Sequence, residues 1–144
     1  MDINQINQVA IRFIEEVWNQ QQFDELDDYL HTAYVDHSLP TALSPDRLGL
    51  VRWIQATSQS FVHRTSVEDQ VSEGNKTILK VKMSMTHIGS WRGIDPTGAH
   101  VITEGYRFYR FQDAKIIELW AEINGSQLES QLKQLGLTGC KMPD

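Results

Sequence analysis

Read with period two, the stretches 77–88 and 100–111 place His87, Arg107 and Tyr109 on one face, together with Leu119 and Ala121. These side chains are suited to chemistry on an oxygen-bearing ligand. An imidazole titrates near neutrality, so His87 is a candidate proton carrier; the competing reading is a hydrogen-bonded core histidine. A guanidinium stays charged at any working pH, so Arg107 suits recognition of an anion or a developing enolate. The alternative is an ion pair with an internal acid such as Asp36 or Asp69. Asp36 and His37 are adjacent, and the carboxylate is positioned to orient a neighbouring ring or to make an Asx turn before Pro40. A polar cluster on an otherwise apolar sheet face is the pattern of a small-molecule pocket. Trp18, Tyr34, Trp53 and Trp91 are candidate walls, although buried aromatics also simply fill cores.

Other chemistries lack support. None of the five histidines shows H-x-x-x-H or H-x-H spacing, and no cysteine pair assists, so neither metal nor cofactor is expected. There is no G-x-S-x-G, and the one glycine cluster lacks a phosphate-loop lysine. Thirteen basic residues against nineteen acidic ones give a net charge of -6, which disfavours nucleic acid. The single cysteine, Cys140, has no internal partner, which suits a reducing cytoplasm. The first residues, M-D-I-N-Q-I-N-Q, do not read as a secretory signal, and no apolar run is long enough for a membrane span.

The elements that must hold these residues follow from periodicity. Ile6, Val9, Ala10, Phe13 and Val17 predict an amphipathic helix over 4–19. A short helix is expected over 24–30, then an irregular segment from His31 to Pro45. A third helix is expected over 44–61, with Ser44 as N-cap and Pro45 at the first helical position. The period then drops to two. Strands are predicted over 65–72, 77–88, 100–111 and 115–122, the first two joined by a turn at 73–76. A last helix over 126–135 is expected to start with an Asn124 cap or a Ser126/Glu129 capping box. It should bury Leu128, Leu132 and Leu135 and stop at Gly136. The chain reads as one domain over 1–144, with a core from 6 to 136 and a tail over 137–144. Helices first and a meander of strands after give an α+β fold with helices on one sheet face.

F-I-E-E-V-W-N near the start, Y-V-D-H at 34–37, T-H-I-G at 86–89, G-I-D-P-T-G at 93–98 and R-F-Q-D-A-K-I-I-E-L-W at 110–120 together resemble the SnoaL-like polyketide cyclases. These belong to the nuclear-transport-factor-2-like, cystatin-like α+β superfamily. The resemblance implies a strongly curved, mostly antiparallel sheet forming a cone closed by the N-terminal helices, and a homodimer formed through sheet surfaces. It implies metal-free and cofactor-free aldol ring closure by an aspartate near the end of the last strand and a histidine on the strand before. Those positions fall here on Ala121 and Arg107, neither of which moves a proton. The next acidic position of many relatives is Asn124. The remaining acid–base candidates are His87, His37 and Asp36, with Arg107, Tyr109, Trp18, Tyr34, Trp53, Trp91 and Ala121 as the binding set.

Two functions therefore compete. One is a cofactor-free enzyme acting on a small, fairly apolar carbonyl compound. The other is a binding or carrier module that kept the pocket and lost the acid–base pair. A protein-interaction role for the outer sheet face is a third. A proton-transfer group pointing into the cavity separates the first two. Tyr106, Phe108, Ile116 and Trp120 are expected on that outer face.

Overall fold

The computed structural model describes residues 2–141, with side chains described through Leu135. Helix α1 (Ile3–Phe13) begins at a capping box: the Asp2 carboxylate accepts the Gln5 N–H at 2.8 Å, and the Gln5 side chain accepts the Asp2 N–H at 2.9 Å. Its stripe Ile6, Ala10 and Phe13 is buried, as the periodicity predicts. From Ile14 to Asn19 the coil widens to a π-helix that buries Ile14, Val17 and Trp18.

The short helix expected over 24–30 is smaller than that. A 3-10 turn (Phe23–Glu25) leads into a four-residue helix α2 (Leu26–Tyr29). The segment expected to be irregular from His31 holds a strand, β1 (Leu30–Asp36), paired in parallel with the last strand. Helix α3 (Arg47–Ser60) is capped by Asp46, whose side chain accepts the Gly49 N–H at 3.1 Å. Ser44 is not the cap; its hydroxyl donates to the Asp46 carboxylate at 2.7 Å.

Strand β2 (Phe61–Glu73) starts four residues earlier than expected, directly from the end of α3. It is followed by β3 (Lys76–His87), β4 (His100–Gln112) and β5 (Lys115–Ile123). The sheet order is β1-β5-β4-β3-β2, antiparallel except for the β1–β5 pair. A bulge in the β4–β5 pairing sets Phe111 opposite Ile116 but Arg110 opposite Glu118, leaving Ile117 as the extra residue. The bulge reverses the parity before it. Ile116 therefore lies buried inside, not on the outer face where strict alternation would put it.

Helix α4 (Gly125–Lys141) is capped by Asn124, whose side chain accepts the Gln127 N–H at 3.0 Å; the Ser126/Glu129 box does not form. Gly136 does not stop it, so the expected tail is helical to Lys141, and residues 142–144 lie outside the described residues. Leu128 and Leu132 are buried, whereas Leu135 is exposed. No helix among the described residues is long and apolar enough to cross a membrane.

Among the described residues two apolar clusters form. The larger joins α1, the π-helix and α3 to the concave sheet face through Leu79, Tyr109, Phe111 and Leu119. The smaller packs Leu128 and Leu132 of α4 on Phe61, Met83, Met85 and Val101.

Candidate functional site

On the concave face, inward positions of β4 and β5 meet in register: Arg107 pairs with Ala121, and Tyr109 with Leu119. Arg107 is only 3% exposed. Its guanidinium lies over the Trp18 ring at 4.3 Å from the centroid, a cation–π contact created by the π-helix that turns Trp18 inward. Among the described residues no carboxylate comes within 4.0 Å of Arg107, and its Nε–H has no acceptor. Neither internal acid proposed as its partner pairs with it: Asp69 is on an exposed stretch of β2, and Asp36 is engaged elsewhere.

Asp36 ends β1 with its side chain inward and is 4% exposed. Its Oδ1 accepts the Ser38 N–H at 2.9 Å and the Ser38 hydroxyl at 2.5 Å; its Oδ2 accepts the Tyr34 hydroxyl at 3.3 Å. The Ser38 oxygen in turn accepts the Ala121 N–H at 2.9 Å. Asp36 is therefore connected through one hydroxyl to the backbone of the residue where the resemblance places an aspartate. Tyr34 stays protonated: burial first, and the Asp36 charge second, push its phenol well above the usual range.

Asp36, Ser38, Thr57 and Arg107 supply the polar lining of a cavity of about 120 Å³. Trp18, Trp53, Met83, Met85, Leu119 and Ala121 supply much of its apolar wall. A larger concavity, about 930 Å³, is an open groove between α1 and the turns at Gly74–Asn75 and Asp113–Ala114, and none of the candidate residues lines it.

Of the ten candidates, Asp36, Arg107, Trp18, Trp53 and Ala121 line the smaller cavity. Tyr34 reaches it through Asp36. Tyr109 is fully buried two residues along the strand from Arg107; burial pushes its phenol up to about 12, against the pull of the Arg107 charge and its hydrogen bonding. His37 points the other way from Asp36, as neighbours on a strand must. Its Nε2 lies 2.7 Å from Glu118, and its ring stacks on Trp120 at 4.5 Å on the outer face.

His87 is fully buried but belongs to the smaller cluster, tilted against Phe61 at 5.3 Å. The Thr97 N–H donates to its Nδ1 at 3.2 Å, so the neutral ring carries its proton on Nε2, which has no partner among the described residues. Together with backbone bonds to Ala99 and Gly98, His87 fastens the glycine-rich crossing to the end of β3. Trp91 packs edge-on to Phe61 at 5.5 Å in that same cluster.

Sequence reasoning missed Ser38, Thr57 and His63. His63 sits beside the cavity wall, edge-on to Trp18 at 6.4 Å and 2.9 Å from the Ser58 hydroxyl. Burial, and then the Arg107 charge, hold its pKa below the ordinary 6.5. The strand parity of β2 (Phe61, His63, Thr65 inward) would have revealed it had the strand been started at 61. No group of three His, Cys, Asp or Glu among the described residues is arranged to hold a metal ion.

A cone of curved sheet with N-terminal helices across its mouth and a small mixed cavity inside is the nuclear-transport-factor-2-like class of α+β protein. The sequence pattern of the SnoaL-like polyketide cyclases matches residues 8–132, and the chain belongs to that family. The fold is similar to that of TsrD from Streptomyces laurentii, with 21% identity over 92% of this chain and 97% of that one and a TM-score of 0.80. It is also similar to IdmH from Streptomyces antibioticus, provisionally assigned as a polyketide cyclase, at 23% identity over 90% and 99% and a TM-score of 0.80. AclR from Streptomyces galilaeus, provisionally assigned as a hydroxylase, gives 20% identity over 92% and 98% and a TM-score of 0.78. At these identities the likeness carries the fold alone. No curated protein matches.

Proposed function

We propose that this chain is a cofactor-free enzyme that moves a proton α to a carbonyl group, with Asp36 as the acid–base and Arg107 holding the enolate oxygen. The observation that supports this reading is the joint placement of a buried carboxylate and a buried guanidinium without a carboxylate partner on one cavity. In the forward step the substrate Cα–H bond breaks and the proton passes to an Asp36 oxygen. The bonding pair forms C=C, and the carbonyl π pair moves onto oxygen beside Arg107. Reprotonation at carbon, or attack of the enolate on a second carbonyl, completes the turnover. Tyr34 and Ser38 orient Asp36 through their hydrogen bonds, and Trp18 sets the plane of Arg107. Trp53 and Ala121 shape the ligand space. His87 acts at one remove, by holding the 88–99 crossing through Thr97.

The test is solvent deuterium exchange at the α-carbon of simple ketones and β-dicarbonyl compounds, followed by NMR. Asp36→Asn should slow exchange about 10²–10⁴-fold while ligand still binds. Binding that persists in the wild type with no exchange would leave the carrier module as the function. We also propose a homodimer through the outer sheet face, supported by exposed Ile102, Tyr106 and Trp120; a monomer in sedimentation at tens of micromolar, roughly where a standard interface holds, would count against it. The lone Cys140 supports a reducing, cytoplasmic setting.

A further inference from the structure

A hydroxyl and an imidazole meet outside the cavity, and the proton-transfer reading above uses neither. Ser58 lies in the last turn of α3, and His63 is the third residue of β2, between Phe61 and Thr65 on the inward parity. The Ser58 Oγ is 2.9 Å from the His63 Nε2. The Gln21 side-chain amide donates to the same Oγ at 2.7 Å. The Ser58 hydrogen then goes to the acceptor it has among the described residues, Nε2, and neutral His63 carries its own proton on Nδ1. This is the starting arrangement of a serine nucleophile and its base. The bond is not needed to join α3 to β2, because the chain runs directly from Ser60 into Phe61.

Three further features suit the pair to chemistry. Burial, and then the Arg107 charge, keep the His63 ring unprotonated at neutral pH, so it is free to accept a proton. The ring is held edge-on to Trp18, at 6.4 Å and 75°. No carboxylate lies within 4.0 Å of it among the described residues, so the pair is a dyad without an acid. Gln21 is fixed by its backbone: its φ of 56° is in the left-handed region, and its N–H donates to the Val17 carbonyl at 3.1 Å. Its side-chain nitrogen has a second hydrogen, available to an oxygen that arrives beside Oγ. Ser58 and His63 are half-buried and Gln21 is exposed, so a reagent can reach the pair from solvent.

We propose that Ser58 and His63 form a second reactive site, at which Ser58 takes an acyl group from esters with a good leaving group. As Oγ bonds to the ester carbonyl carbon, its hydrogen passes to His63 Nε2, and the carbonyl π pair moves onto oxygen beside the Gln21 amide. The carbonyl re-forms, the bond to the leaving group breaks, and that group departs with the His63 proton. Water then attacks the acyl-serine and gives a proton to His63, which returns it to Oγ as the acid leaves. A weak base and a single side-chain donor for the oxyanion do little for a poor leaving group, which confines the site to aryl esters and thioesters.

The experiment uses the full chain and para-nitrophenyl acetate. Absorbance follows release of para-nitrophenolate, and peptide mass spectrometry locates the acetyl group. Acetyl should appear on Ser58. Ser58→Ala and His63→Gln should each lower the release about 10²-fold toward the solvent rate. Gln21→Glu, which turns the donor into an anion, should be slower than Gln21→Ala. The wild-type rate should rise with pH through an inflection below 6.5 and then level off, unlike acetylation of lysines. Acetyl found on lysines or other histidines with Ser58 unmodified, or a Ser58→Ala rate equal to wild type, would overturn the proposal. Where His63→Gln does not fold, a fluorophosphonate takes its place: the Ser58 oxygen should displace fluoride and carry the phosphonyl group, and an unlabelled Ser58 would overturn the proposal equally. None of these readouts depends on Asp36, so the outcome is separate from that of the proton-transfer reading.

Discussion

Arg107→Met should make the empty protein more stable while destroying its ligand site. The guanidinium is 3% exposed, has no carboxylate within 4.0 Å and leaves Nε–H unsatisfied. An unsatisfied buried polar group costs about 1–3 kcal/mol, and more when it is charged. Against this stands the cation–π contact with Trp18, worth about 2 kcal/mol when desolvated. Methionine fills similar space and packs its sulfur on aromatic rings, so most of the volume is kept. Asp36 keeps its bonds from Ser38 and Tyr34 and is not stranded. The net expectation is a gain of about 1–2 kcal/mol, the excess of the charged group's burial cost over the contact with Trp18. For a chain of this length that raises the melting temperature by about 3–8 °C. Urea and thermal unfolding of the unliganded protein at neutral pH measure it. A loss of more than about 1 kcal/mol would refute the reasoning, because it would mean that Asp36 and Arg107 act as a pair on which the fold depends.

The same variant should raise the His63 pKa, since Arg107's charge is the second cause of its depression after burial; a histidine NMR titration reads this. Because the folded His63 is held below 6.5, the unfolded chain takes up the proton first, so stability should fall as pH drops below about 6.5 and level off under the folded value. Glu118 is held below its usual 4.5 by His37 first and Arg110 second. His37→Ala should move that carboxyl back up in a carbon-13 titration, and the stability it contributes above pH 4.5 should be lost as pH falls through the lower folded value. Gly89→Ala should cost about 1–3 kcal/mol by urea unfolding, since an added Cβ would lie 2.1 Å from the Gln59 carbonyl oxygen at the end of α3.

The sheet face and the helices were legible because burial there follows a clean period. β3 alternates without a break from Thr77 to His87, and that alternation put Arg107 and Ala121 on the cavity side. β1 was not legible: its edge pairing is parallel and irregular between Leu30 and Val35, so His31–Asp36 shows no apolar alternation to read. Asp36 was singled out, but its separation from His37 onto the opposite face depended on that unseen strand. Parity gave His87 the right face and still not the cavity, because the sheet is long enough to serve two clusters and His87 belongs to the one under α4. Ile116 was misplaced by a single extra residue at 117, which period counting does not register. Ser38, in a turn, carries no periodic signal at all.

The π-helix over 14–19 behaves as one surplus residue absorbed into a helix. The Gln20 N–H reaches the Glu15 carbonyl at 3.0 Å, five residues back, and Asn19 then locks on both sides to the Thr65 backbone at 2.8 Å. Trp18 is held between that clamp and α1. Removing one residue from this turn would restore ordinary helical geometry, and the segment would gain regular hydrogen bonds. It would also rotate everything after the deletion by about 100° about the axis, carrying Trp18 off the guanidinium. A shorter version of this chain would thus keep the fold and lose a wall of its cavity, which makes the length of this one turn a site at which insertion or deletion, and not substitution, sets what the protein can hold.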